Sequence, residues 1–380
     1  MGMGFKREEM SKRGKSRESG IELLRIVAVV LIVSHHLLCH STFDLFNEPF
    51  CVKRLFFQML YLAPGKIGIA LFLFISVWFL ADKGVTLQGA IRKIWLLWRE
   101  LFFWNIVGMC CQLALPSSEP RTVNDWWFSW LNMFFPLTRN EWWYVSSYAI
   151  FLVLLPFVLP CLRYLGKENH KKCCVVLFVL WGALALIPGS NLDNGLSVVG
   201  FEYVFVLISY YKWYMKEIKA NYAAILVVLG TLVILIWNIA LPMLIPDNSS
   251  LLMDFLWPVE KEWSIPILMI SFGLFELLRR ATFHSSVINM IATSSFGVYL
   301  ATEQPFIREQ LWSKWIVLSD FYDSKYAIAQ AILCIIIVCV VASALDLLRG
   351  LLFDMTINRH RGAWFDKLWS MVASENKRQK

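Results

Sequence analysis

Gly20–Ser41 reads GIELLRIVAVVLIVSHHLLCHS, and this stretch decides what kind of molecule the chain makes. From Ile21 onward it is an apolar run of membrane length, since about 20 such residues carry a helix across a hydrocarbon core of about 30 Å. Yet Arg25 stands near its start, and His35 and His36 stand near its end with His40 one turn on. An ionisable group inside a lipid-spanning helix costs roughly 2.5 to 3.5 kcal/mol on insertion scales, so such groups line a cavity or a reaction path. The run therefore reads as a transmembrane helix with a function.

The rest of the chain repeats the apolar signal. Of 380 residues, 58% are hydrophobic and 17% charged, against about half and a quarter for soluble domains, and the mean hydropathy is positive. Ten spans are expected, near 21–41, 63–82, 94–115, 141–162, 173–189, 197–214, 221–244, 262–278, 287–306 and 326–348. The fold class is thus all-α: a polytopic membrane protein of about ten transmembrane helices. It divides into a basic tail over 1–20, a membrane domain over 21–353 and a tail over 354–380. The first tail is polar, basic and followed directly by the span with no small-residue cleavage site, so it reads as a cytoplasmic tail and not a removed signal.

The net charge of +8 is a topology signal, not a nucleic-acid one. With the N-terminus inside, the cytoplasmic segments carry 25 Lys and Arg and the outer ones seven, while Arg25, Lys66, Arg99 and Lys261 lie within or at the edge of spans. Positive charge is retained on the cytoplasmic side, which puts both termini there.

Two outer loops, Phe43–Leu62 and Pro116–Asn140, are long for helical hairpins. The second contains WWFSWLNMFF, whose tryptophans fit either an interfacial helix or a sugar-stacking platform. The nine cysteines lack metal-ligand spacing and read as buried thiols, with a Cys39–Cys51 disulfide left open because both fall on the outer side. Other ionisable residues in spans are Glu202, Glu276 and Asp346. The last two lie close to Arg279, Arg280 and Arg349 and read as interface ion pairs, whereas Glu202 is a candidate for an acceptor pocket.

Arg25 and His36 are eleven residues apart, three turns plus about 20°, so they project from one helix face about 16 Å apart. Glu22 stands one turn before Arg25 and can pair with it. Histidine is the side chain best poised near neutral pH to take a proton from a hydroxyl, and arginine suits bidentate phosphate binding. Base and phosphate clamp on one face suggest group transfer from a phosphorylated donor. The same face would serve a transporter or flippase of a lipid-linked sugar or small solute as a binding or proton-coupling site. No internal repeat or matched pair of broken helices supports that alternative.

Three blocks resemble the acyltransferase-3 family of integral-membrane acyltransferases. These are the arginine, ten residues, histidine pattern of Arg25 and His36, EWWYVSSYAIFLVLLPFVLP at 141–160, and SSFGVYLATEQPFIREQLW at 294–312. The resemblance spans all thirds of the chain and implies a multi-pass protein of the bacterial plasma membrane. Its implied activity is transfer of an acetyl group from acetyl-CoA to a hydroxyl of a cell-envelope polysaccharide or lipid-linked sugar, with no metal or resident cofactor. It implies His36 as general base and Arg25 as a catalytic partner that positions the donor. Arg92, Lys93 and Arg99 are candidates for donor binding, and Trp143, Tyr144, Tyr148, Glu202, Tyr299 and Glu303 for the acceptor pocket. Two departures stand out. Thr302 occupies the place where many relatives carry a histidine three residues after the tyrosine, leaving Glu303 as a possible substitute. The family's paired arginines three apart are replaced by the spacing in IRKIWLLWRE (91–100).

Overall fold

The computed structural model describes residues 18–115, 123–190, 197–245, 249–360 and 362–378, and it is all-helical, with no strand among the described residues. In chain order its principal helices are α1 (Ser19–Cys39), α2 (Val52–Leu62), α3 (Pro64–Leu80), α4 (Leu87–Ala114) and α5 (Val123–Phe134). There follow α6 (Trp143–Leu177), α7 (Ser197–Tyr214), α8 (Ala220–Leu244), α9 (Ser249–Glu260) and α10 (Ile265–Arg279). The last are α11 (Ser286–Ala292), α12 (Ser295–Glu303), α13 (Pro305–Gln310), α14 (Ala327–Met355) and α15 (Ala363–Arg378).

Helix α1 is the hub. It touches α2, α3, α10, α11, α12 and α14, and it buries residues all round: Leu24 and Ala28 in one apolar cluster, and Val29, Ile32, Val33 and Leu37 in another. A helix that is apolar on every side belongs inside a bundle. The first cluster joins α1 to α3, α6, α7 and α10, and the second joins it to α12 and α14. The α1–α3 contact is close because α3 is glycine-rich at its start. A Cβ at Gly68 would overlap the Ala28 carbonyl, and one at Gly65 would overlap the His35 ring.

Most of the expected spans fall on helices, and among the described residues six stretches are long and apolar enough to cross a membrane. They are Ser19–Cys39, Val52–Leu80, Leu87–Ala114, Trp143–Leu186, Ala220–Leu244 and Ala327–Met355. The 44-residue stretch from Trp143 takes in both 141–162 and 173–189. Gly166 interrupts it with φ 69° and ψ 175°, a left-handed φ that glycine adopts without steric cost. The helices at 197–214 and 262–278, α7 and α10, are shorter and stand outside the six.

The expected span 287–306 is not continuous, and the reason is local. Thr293 and Ser294 turn their hydroxyls back onto the carbonyls of Met290 and Ile291, at 2.6 and 2.7 Å, the competition with helix propagation that these residues offer. Pro305 then restarts the chain as the first residue of α13, with the Gln304 side chain accepting from the Ile307 N–H at 3.0 Å. These two breaks isolate α12 as a short helix ending on Glu303. It packs tightly on α14, where a Cβ at Gly297 would fall on the Asp346 carboxylate.

Candidate active site

The end of α12 meets the end of α1. Glu303 Oε1 accepts from His40 Nε2 at 2.7 Å and lies 3.2 Å from His36 Nδ1. The second contact is close enough for charge interaction but is not aligned as a hydrogen bond. Glu303 Oε2 takes Arg308 Nη1 at 3.3 Å from one turn into α13. His36 and Glu303 are buried. Their adjacency follows from the sequence: His36 and His40 are one helical turn apart on α1, and the helix stop before Pro305 holds Glu303 opposite them.

With Nδ1 turned to the carboxylate, Nε2 is the ring nitrogen left for a substrate. His36 lines a small cavity of about 40 Å³ with Ile32, Trp143, Tyr144, Phe296 and Tyr299. The Tyr299 hydroxyl is buried at this cavity beside Tyr144 and makes no well-aligned hydrogen bond among the described residues. His35 borders the same cavity, but its Nδ1 lies 2.5 Å from the Tyr61 carbonyl oxygen.

Arg25 lies at the far end of the same helix face, 3.8 Å from Glu22. It lines a second cavity of about 220 Å³ with Ser76, Leu97, Tyr148 and Ser295. The two cavities back onto the same three side chains, Phe72, Tyr144 and Phe296. Thus Arg25 and His36, too far apart to touch, line two neighbouring cavities divided by the same three side chains.

A chain with these features has a counterpart among known families: the acyltransferase domain of the acyltransferase-3 family matches residues 18–348. The chain belongs to the acyltransferase-3 family. No curated protein and no solved structure matches it. Membership makes the protein a membrane acyltransferase, which requires an acyl donor and an acceptor. Of the aromatic residues singled out by resemblance to this family, Trp143, Tyr144 and Tyr299 lie at the His36 cavity and Tyr148 at the Arg25 cavity.

The remaining singled-out residues stand elsewhere. Arg92 Nε donates to Asp366 at 3.1 Å and Arg99 Nη2 donates to Asn358 at 3.1 Å, so both are engaged by the segment that follows α14. Seven residues apart, they share a face of α4, while Lys93 projects from another. Glu202 borders neither cavity, and among the described residues both its carboxylate oxygens are buried without a hydrogen-bond partner. The tryptophans of 126–130 lie on α5, where Trp127 and Trp130 are exposed. Residues 116–122 of that loop fall outside the described residues. Cys39 and Cys51 are both free thiols.

Sequence reasoning noted His40 without giving it a role, counted Arg308 only as loop charge, and did not single out Phe72 or Phe296. The Glu303–Arg308 spacing across a proline was a signal for the second; nothing local marked the two phenylalanines. His36, His40 and Glu303 present ligand atoms within 4.8 Å of one another, a donor set that also suits a divalent cation. The 2.7 Å hydrogen bond from His40 satisfies the carboxylate without one.

Proposed function

We propose that this protein is an integral-membrane O-acetyltransferase of about ten transmembrane helices with both termini in the cytoplasm. It moves an acetyl group from acetyl-CoA to a hydroxyl of a cell-envelope polysaccharide or lipid-linked sugar at the bacterial plasma membrane. The observation that carries the reading is the pair of neighbouring cavities lined by Arg25 and by His36, with His36 backed by a buried carboxylate. The donor enters at the Arg25 end, which the loop charges assign to the cytoplasm, and its acyl end reaches the His36 cavity. Arg25 helps to hold the phosphorylated part, and its fork geometry suits that task.

In the transfer step the acceptor hydroxyl oxygen attacks the thioester carbonyl carbon while His36 Nε2 takes the hydroxyl proton. Collapse breaks the C–S bond, forms the ester and releases CoA thiolate, which recovers the proton from the imidazolium. Glu303 stabilises that imidazolium through Nδ1. The Tyr299 hydroxyl, buried at the same cavity, is placed to donate to the developing oxyanion. The chemistry needs no metal and no resident cofactor: the thioester is already activated, and orientation supplies much of the rate.

The test is His36→Ala. The variant is expected to insert at normal abundance, release no CoA above background, and leave the envelope glycan lacking the mass of one acetyl group per modified site. Wild-type acetylation in that variant overturns the reading. Movement of a lipid-linked sugar by the reconstituted protein without consumption of acetyl-CoA would favour a transporter instead.

A further inference from the structure

The C-terminal helix α15, unused by the proposed reaction, has an apolar face that is exposed among the described residues. Trp364, Leu368, Met371 and Val372 are 76, 53, 47 and 60% exposed. Their spacing of four, seven and eight residues from Trp364 puts them on one face of the helix. The helix is nevertheless held in place. Asp366 pairs with Arg92 of α4, Phe365 is buried and stacks on Trp369 with ring centroids 5.7 Å apart. Gly362, at φ 84°, makes the turn into α15 directly against the Arg92 guanidinium.

The exposed face continues a surface that already meets lipid. Helix α14 is 29 residues long, about 43 Å at 1.5 Å per residue, so it overruns a hydrocarbon core of about 30 Å. Its outward apolar residues persist to that end: Leu348, Leu351 and Met355 are exposed, as is Ile357 just beyond. After the polar turn at Gly362, exposed apolar residues resume at Trp364 and Leu368. Charge points the same way, since residues 356–380 contain six Lys or Arg against two carboxylates. Tryptophan at the rim and cationic flanks are the composition of a helix lying in the headgroup region of an anionic leaflet.

We infer that α15 is an interfacial helix whose Trp364–Leu368–Met371–Val372 face is embedded in the anionic lipid surface at the C-terminal end of α14, fixing the segment that engages Arg92 and Arg99. Full-length protein carrying a benzophenone amino acid at position 368, or at Ser370 on the opposite, exposed side of α15, is reconstituted into nanodiscs. The lipid is phosphatidylcholine alone or mixed with phosphatidylglycerol. Illumination is expected to give several-fold more lipid adduct from position 368 than from 370, with the 368 yield rising when phosphatidylglycerol is present. Equal lipid adducts from both positions, or none from 368, overturn the inference. Adducts from 368 to a second copy of the chain overturn it in favour of a protein interface, and a yield indifferent to phosphatidylglycerol overturns the charge argument.

Discussion

Replacing Glu303 with glutamine tests whether the carboxylate acts on the reaction or merely fills space. Glutamine keeps the size and still accepts from His40, so the 2.7 Å contact survives in neutral form. What is lost is the negative charge 3.2 Å from His36 Nδ1. Two unit charges at that separation attract by about 5 kcal/mol at an effective dielectric of about 20. Arg308, 3.3 Å from the other oxygen, repels an imidazolium in both proteins and so leaves the difference unchanged, whereas the glutamine amide dipole retains part of the attraction. About 3 kcal/mol is a reasonable net loss, and since His36 is cationic only while it holds the acceptor proton, the loss falls on the transition state. That corresponds to about 10²-fold in kcat, with donor KM unchanged. Purified protein in nanodiscs is assayed with acetyl-CoA and envelope glycan from a deletion strain, with CoA release and glycan mass followed by mass spectrometry. A kcat within about twofold of the wild type, or a loss confined to KM, refutes the argument.

Three further outcomes follow from the same geometry. Phe72→Ala removes a side chain that separates the Arg25 and His36 cavities and is expected to raise the butyryl-CoA to acetyl-CoA rate ratio about tenfold, the scale of added methylenes in an apolar pocket. Arg25→Lys keeps the charge but loses the fork, and should lower kcat/KM for the donor by about 10-fold or more, through hydrogen bonds to charged groups worth roughly 1.5 to 3 kcal/mol; an unchanged value removes Arg25 from donor binding. Asp346→Ala leaves buried Arg349 with Glu100 at 3.5 Å in place of a 2.6 Å partner; a loss of about 3 kcal/mol of stability is expected, read as a fall in the thermal midpoint of the solubilised protein.

The fold was largely legible because lipid imposes a simple rule: every backbone polar group must be satisfied within its own helix. Apolar length alone therefore locates helices such as Ser19–Cys39 and Ala327–Met355. Legibility failed where polar residues govern the backbone. Hydropathy gave 287–306 as one span, yet Thr293, Ser294 and Pro305 carry the information that divides it, and they act through side-chain hydrogen bonds and a missing N–H rather than through apolarity. The break at Gly166, by contrast, falls in the connector expected between 141–162 and 173–189.

The site shows the same division between what one helix encodes and what the bundle supplies. Periodicity placed Arg25 and His36 on one face about 16 Å apart, a gap no side chain closes within α1. The bridge is built by Phe72 of α3, Tyr144 of α6 and Phe296 of α12, residues distant in sequence whose convergence is a property of the packing. The helix break also sets Thr302 and Glu303 apart. Thr302 spends its hydroxyl on the Val298 carbonyl at 2.9 Å, inside α12. Glu303, the last residue before the chain turns at Gln304–Pro305, is free of that geometry and reaches His36 and His40 instead. A carboxylate at the helix end is thus the group that α12 sets beside His36, and it gets there because the helix stops.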